Sequence, residues 1–207
     1  MKRILILSFV LFAVLQTIVT AQNIKYRSLD SSELWFDGTS TLHDFTCHAN
    51  KIDATVVVST SLLDGKSGET QKGQVTIPVK KIKNENDGLT KNMYKTLEPD
   101  KWPEINFALD TIELPREAQK DEIINADIHG ALTIKGETRD ISIPVEITGL
   151  ENADTLNVSG SYLLRLSDFN IKRPSFFLGT LKVGDEIDIS FDLVFVREND
   201  YKELTQR

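Results

Sequence analysis

Two of the three histidines, an aspartate and the sole cysteine fall within six residues: His43, Asp44, Cys47 and His48. They close the stretch LWFDGTSTLHDFTCH, which begins with Leu34 and also carries an aromatic pair and a Gly-Thr-Ser-Thr run. These are the side chains of a transition-metal site or of a Cys-His nucleophile. Their spacing argues against both. Read as one continuous strand, the segment places His43 and Cys47 on one face and Asp44 and His48 on the other. A metal could take at most His43 and Cys47 and would need two more ligands from elsewhere. The third histidine, His129, falls on the polar face of its own strand. Four residues at ~3.3 Å each separate His43 from Cys47 by about 13 Å, too far for a nucleophile to bond its base. The neighbours His43-Asp44 and Cys47-His48 point to opposite faces. Gly38-Thr39-Ser40-Thr41 could be taken for an anion cradle, but Thr suits strands equally well. No G-x-S-x-G, H-E-x-x-H or phosphate-binding glycine loop occurs. The expectation is a protein that is not an enzyme, with no catalytic residue and no metal; metal binding at His43 and Cys47 remains as a weaker alternative.

The elements carrying these residues are strands. Period-two alternation marks half-buried antiparallel β structure. It runs through Ile124–Ile134, Ile141–Ile147, Val158–Leu166 and Ile187–Phe195, and more briefly through Val75–Val79 and Ile105–Leu109. Leu34–Cys47 and Ile52–Leu63 supply two more, making about eight strands, as in an all-β barrel or sandwich. Lys135-Gly136-Glu137-Thr138 reads as a tight hairpin turn, and Leu63–Gly68 as a polar, Gly-rich one. Pro144, inside a strand, belongs at an edge, at a bulge or where its missing N–H is harmless. Asp87–Glu98 carries Leu89, Met93 and Leu97 at helical spacing and predicts one short helix against the barrel.

The N-terminus has a positive start, an apolar run from Ile4 to Val19 and small residues at Val19-Thr20-Ala21. This is the pattern of a secretory signal peptide, residues 1–21. The alternative, an uncleaved anchor, is disfavoured because this 16-residue, almost entirely apolar run falls short of the ~20 a spanning helix needs. Residues 22–31 then form a lead-in, 32–196 the barrel and 197–207 a polar, loosely held tail. Without its leader the chain keeps 22 basic against 31 acidic residues. That balance argues against nucleic acid and anionic lipid surfaces. One cysteine permits no internal disulfide, so the fold must rest on its core.

Four blocks resemble the YceI-like family of lipocalin-like, periplasmic, polyisoprenoid-binding proteins. They are Gly38–Phe45; Met93, Leu97 and Trp102–Phe107; Gly130–Gly136 followed by Ile143-Pro144-Val145; and Asp168–Ile171 followed by Val183–Ile187. Asn170 stands where the family pattern has Gly, as does Cys47. The resemblance implies an extended lipocalin-like eight-stranded antiparallel β-barrel in a periplasmic or secreted protein. It implies a long apolar isoprenoid lipid or quinone threaded into the cavity, with no other cofactor. The alternative is a non-catalytic envelope scaffold whose barrel binds a protein partner. A homodimer is left open. Strand parity selects Phe107, Ile128, Leu132, Ile143, Val145, Tyr162, Leu164, Phe191 and Leu193 as lining residues. Tyr162 alone among them could hydrogen-bond a head group. Phe176 and Phe177 would stand at the cavity mouth. Small inward residues, Ala126, Gly130 and Gly160, either leave room for a ligand or fit the taper of a filled barrel.

Overall fold

The computed structural model describes residues 23–63, 70–114, 123–150, 153–176 and 181–205. The proposed signal peptide, the loop after Leu63 and Phe177 lie outside the described residues, as does the side chain of Phe176.

Alternating burial along the strands follows the alternating sequence. The longest, β12 (Leu181–Arg197), organises the barrel. Two strands lie end to end along it: β1 (Asn23–Ser28), where Ser28 meets Phe195, and β2 (Glu33–Ser40), where Glu33 meets Asp192. β3 (Phe45–Ala49) pairs with β2, and β4 (Asp53–Ser59) with β1. β5 (Thr70–Pro78) pairs with β4, and β6 (Ile82–Lys83) with β3. β7 (Glu104–Glu113), β8 (Ile124–Ile134), β9 (Glu137–Thr148) and β10 (Thr155–Arg165) follow in order, and β12 closes the ring onto β1. A two-residue strand, β11 (Ser175–Phe176), folds back on the start of β12. Because three of its staves are broken into collinear pairs, these strands make a closed eight-stranded antiparallel barrel of up-and-down order. Closure removes the sheet edges that would otherwise seek partners.

Local chemistry explains the breaks. The segment read as one strand through Leu34–Cys47 is two, because Thr41–Asp44 form a turn. The Ser40 hydroxyl donates to the His43 carbonyl at 2.7 Å and accepts from the His43 amide. Face-counting across His43 is therefore invalid: His43 sits in an exposed turn, and only Cys47 and His48 belong to a strand. Ile52–Leu63 likewise ends not as strand but in a single helical turn, α1 (Thr60–Leu63), which buries Leu62 and Leu63. In β7 a bulge between Leu109 and Thr111 shifts the inward set from Ile105, Phe107 and Leu109 to Ile112 and Leu114.

The hairpin between β8 and β9 turns on two residues, with Lys135 at φ +53° and Gly136 at φ +81°. This is a type I′ turn, whose twist matches the strands. A Cβ on Gly136 would meet the Trp102 ring at 2.5 Å, so only glycine lets that ring cover the turn.

Three α-helical segments occur among the described residues, where one was expected. α2 (Asp87–Leu97) is the anticipated one, capped by Asn86, whose side chain accepts from the Gly88 and Leu89 amides. The third, α3 (Glu198–Thr205), occupies the tail read as loosely held. It is tied down by a Lys25–Glu198 ion pair at 3.0 Å and by Arg27 stacked on the Tyr201 ring at 4.8 Å. The lead-in is also structural, since β1 lies within it. Among the described residues no helix is long and apolar enough to cross a membrane.

Candidate functional site: two apolar chambers in series

The lower chamber, about 200 Å³, lies inside the strand-walled half of the barrel. Apart from Thr55, Gly73 and Gln74 its wall is aliphatic and aromatic, including Leu34, Val56, Ile77, Leu109 and Val158. Its lower end is formed where strands stop: Leu62 of α1, Leu114 after β7 and Leu150 after β9. In the same core, fully buried Tyr26 donates its hydroxyl to the Ala153 carbonyl at 2.7 Å. Arg197 donates to that carbonyl as well, at 2.9 Å.

The upper chamber, about 140 Å³, has a different wall. At this level β6 does not pair with β7, and α2 covers that side with Leu89, Met93 and Leu97. Leu166, Ile171 and Pro174 contribute from the segment after β10. Phe36, Ile82, Ile105, Ile134 and Ile189 line both chambers and form the waist between them.

α2 is fixed by polar contacts at both ends. Tyr94 donates to the Lys80 and Ile82 carbonyls at 2.8 and 2.9 Å. Lys135 donates to the Thr96 carbonyl and pairs with Glu98 at 2.6 Å. Glu98 ends the helix in the left-handed conformation, φ +53°, and the Lys135 ammonium holds its carboxyl below the usual range.

Seven of the nine residues selected by parity line the lower chamber: Phe107, Ile128, Leu132, Ile143, Tyr162, Phe191 and Leu193. Leu164 lines the upper one. Val145 is buried but lines neither; it packs beneath Gly160. The glycines do not enlarge the cavity. A Cβ on Gly130 would lie 2.6 Å from the Phe107 ring, and one on Gly160 would lie 2.9 Å from the Phe191 ring. Each seats an aromatic ring instead of leaving space. Tyr162 is the one residue of these seven with a hydrogen-bonding side chain. Burial raises its pKa, with a further push from Asp168, so it is a neutral donor at physiological pH.

Parity reasoning reached the upper chamber only at Leu164, because helix and turn residues build much of it. Its signal was present in the Leu89-Met93-Leu97 stripe, which faces the cavity. Cys47 was weighed as a nucleophile or ligand and is neither placed nor tuned for that. It is 3 % exposed and lines the upper chamber. Burial pushes its thiol up to about 11, against a smaller opposing effect of the Asn84 side chain. His43 and His48 are exposed. Among the described residues no group of three or more His, Cys, Asp or Glu is placed to hold a metal. Asn170, at the position where Gly was expected, has φ +53°. Asn tolerates this left-handed region better than other side chains, which explains the exchange.

Comparison with known proteins gives a consistent result. Residues 28–195 match the YceI-like domain. No functionally curated protein matches the chain. Among solved structures, a polyisoprenoid-binding domain from Saccharophagus degradans, implicated in plant cell wall breakdown, superposes with a TM-score of 0.65 at 15 % identity; the match covers 84 % of this chain and 99 % of that one. BcnA of Burkholderia cenocepacia gives 0.62 at 20 % identity over 79 % and 95 % of the two chains. The Campylobacter jejuni YCEI protein gives 0.55 at 20 % identity over 73 % and 84 %. At these identities the likeness is one of fold.

Proposed function

This chain belongs to the YceI-like domain family, and we propose that its barrel binds and carries the linear apolar chain of an isoprenoid lipid or quinone in the cell envelope, periplasmic or secreted. The observation that carries this reading is the pair of adjacent chambers that share five apolar lining residues. Together they only just reach the lower end of the ~300–1,000 Å³ usual for ligand pockets. Two small chambers in series suit a thin, acyclic chain lying lengthwise, not a compact ligand. No charged side chain lines either chamber, so the buried part of the ligand is uncharged. A chain of about twenty carbons gains roughly 16 kcal/mol at ~0.8 kcal/mol per CH₂. Association costs of about 8 kcal/mol would leave micromolar affinity. Tyr162 can donate to a carbonyl or hydroxyl on such a ligand. A scaffold for a protein partner would instead expose a contiguous apolar patch. The large apolar residues most exposed here, Leu42, Ile123 and Leu163, are spread over an upper turn, the foot of β8 and the middle of β10.

Organic extraction of protein purified from its native host, followed by mass spectrometry, tests the reading. An isoprenoid released in near-stoichiometric amount is expected. Refutation would be a lipid-free extract together with no binding of geranylgeraniol carrying an anthraniloyl fluorophore on its hydroxyl.

A further inference from the structure

The barrel has a second gap besides the one that α2 covers. β9 and β10 pair from Thr148–Asn157 only as far as Val145–Gly160. Both strands continue upward, β9 for another eight residues to Glu137 and β10 for another five to Arg165. Over that length β9 pairs with β8 alone. The sequence contributes to this parting. Pro144 is the next residue after the last pair. Its carbonyl would lie 2.8 Å from a Cβ on Gly160, so this peptide edge faces β10, and it has no N–H to offer there.

The side chains bordering the gap belong to the ligand cavity. Ile141 and Ile143 on β9, and Tyr162 on β10, line the lower chamber, while Leu164 on β10 lines the upper one. Leu163, between them on the outer face, is 49 % exposed. Among the described residues the gap is covered by one 3-10 turn, Leu166–Phe169, which packs on β9, β10 and β12. Phe169 is 2 % exposed and lines neither chamber. It packs in a cluster with Leu164, Ile141 and Tyr162, which come from both sides of the gap. The turn ends at left-handed Asn170, and Asp185 holds it from outside by accepting from the Ser167 amide at 3.1 Å and from the Ser167 hydroxyl at 2.6 Å.

We propose that the parting of β9 and β10 is a lateral portal, plugged by Phe169, through which the apolar ligand passes into the chambers. Opening it moves one short turn and breaks no interstrand ladder. Opening the route beneath α2 would break the capping, Tyr94 and Lys135 contacts. The proposal rests on the lipid-carrier reading.

The test bridges the gap. Ser142 and Leu163 are both exposed and would face each other if the register continued. In a Cys47→Ala chain, Ser142→Cys and Leu163→Cys are joined with a short, reducible bis-maleimide. Uptake and release of anthraniloyl-geranylgeraniol are then followed by stopped-flow fluorescence. Bridging should slow both rates at least tenfold with little change in equilibrium affinity, and reduction should restore them. Phe169→Leu, or Phe169→Ala where it folds, should speed both rates severalfold. Unchanged rates in the bridged protein overturn the portal, as does acceleration by Glu98→Gln without acceleration by Phe169→Leu, which would move the route to α2. Absence of any probe binding by the unmodified protein overturns the carrier reading itself.

Discussion

Iodoacetamide should label Cys47 slowly in the native protein, and more slowly still when the barrel is loaded. The thiolate is the reacting species, and an unhindered cysteine titrates near ~8.5. With the Cys47 thiol pushed up to about 11 by burial, the thiolate fraction at neutral pH falls by a factor of roughly 100 to 300. Labelling of native protein should therefore run at least ~100-fold below that of the urea-unfolded chain, and restricted access to a side chain 3 % exposed lowers it further. The rate should climb about tenfold per pH unit beyond pH 9 and level off only near 11. The same shift acts on stability. The folded state holds this proton more tightly than the unfolded state, so the contribution is intact below pH ~8.5 and is lost as pH rises towards 11. It amounts to about 3 kcal/mol. Because Cys47 lines the upper chamber, saturating anthraniloyl-geranylgeraniol should add a protection that the same probe does not give a surface cysteine. Quenched time points read by intact mass give every rate. Native labelling as fast as a free thiol, or a rate plateau near pH 8.5, would refute the buried-thiol reasoning. Rates indifferent to bound probe would refute occupation of the upper chamber.

Replacing Tyr26 by Phe should cost only about 1 kcal/mol in urea unfolding, because Arg197 continues to satisfy the Ala153 carbonyl; a loss above 3 kcal/mol would mean that the hydroxyl holds the lower end by other means. Gly136→Ala should destabilise by at least ~1–2 kcal/mol, since the new Cβ meets both a positive φ and the Trp102 ring. Asn170→Gly should be neutral or slightly stabilising, whereas Asn170→Val should cost about 1–2 kcal/mol at φ +53°. The Glu98 carboxyl should titrate below an ordinary glutamate by NMR. Its pairing should be intact above the usual carboxylate range and be lost as pH falls through its lowered pKa. Lys135→Ala should return it to the normal range.

The strands were legible because inward residues recur every second position wherever one face is buried, and β8 runs over Ile124–Ile134 as the alternation marks it. The Lys135-Gly136 turn was legible because few residue pairs adopt its two positive φ values. Legibility failed where alternation breaks. The Asp110 bulge, the Thr41–Asp44 turn and α1 each change the direction of later side chains without announcing it in residue type. The lining residues selected by parity fall around the chambers except Val145. Whether Gly130 and Gly160 leave space or fit the taper depended on which rings lean over them, and those rings come from Phe107 on a neighbouring strand and Phe191 on another.

By itself, then, the sequence determined an all-β chain whose inward face is apolar, since that follows from periodicity along one strand at a time. Only the tertiary structure decided that LWFDGTSTLHDFTCH is two strands hinged at an exposed His43, with Cys47 turned into an apolar chamber. It alone decided that the barrel holds two chambers, one walled by strands and one partly by a helix and a turn, and that β9 and β10 part above Gly160. Each of these depends on which residues meet across strands distant in sequence, and no local pattern encodes that.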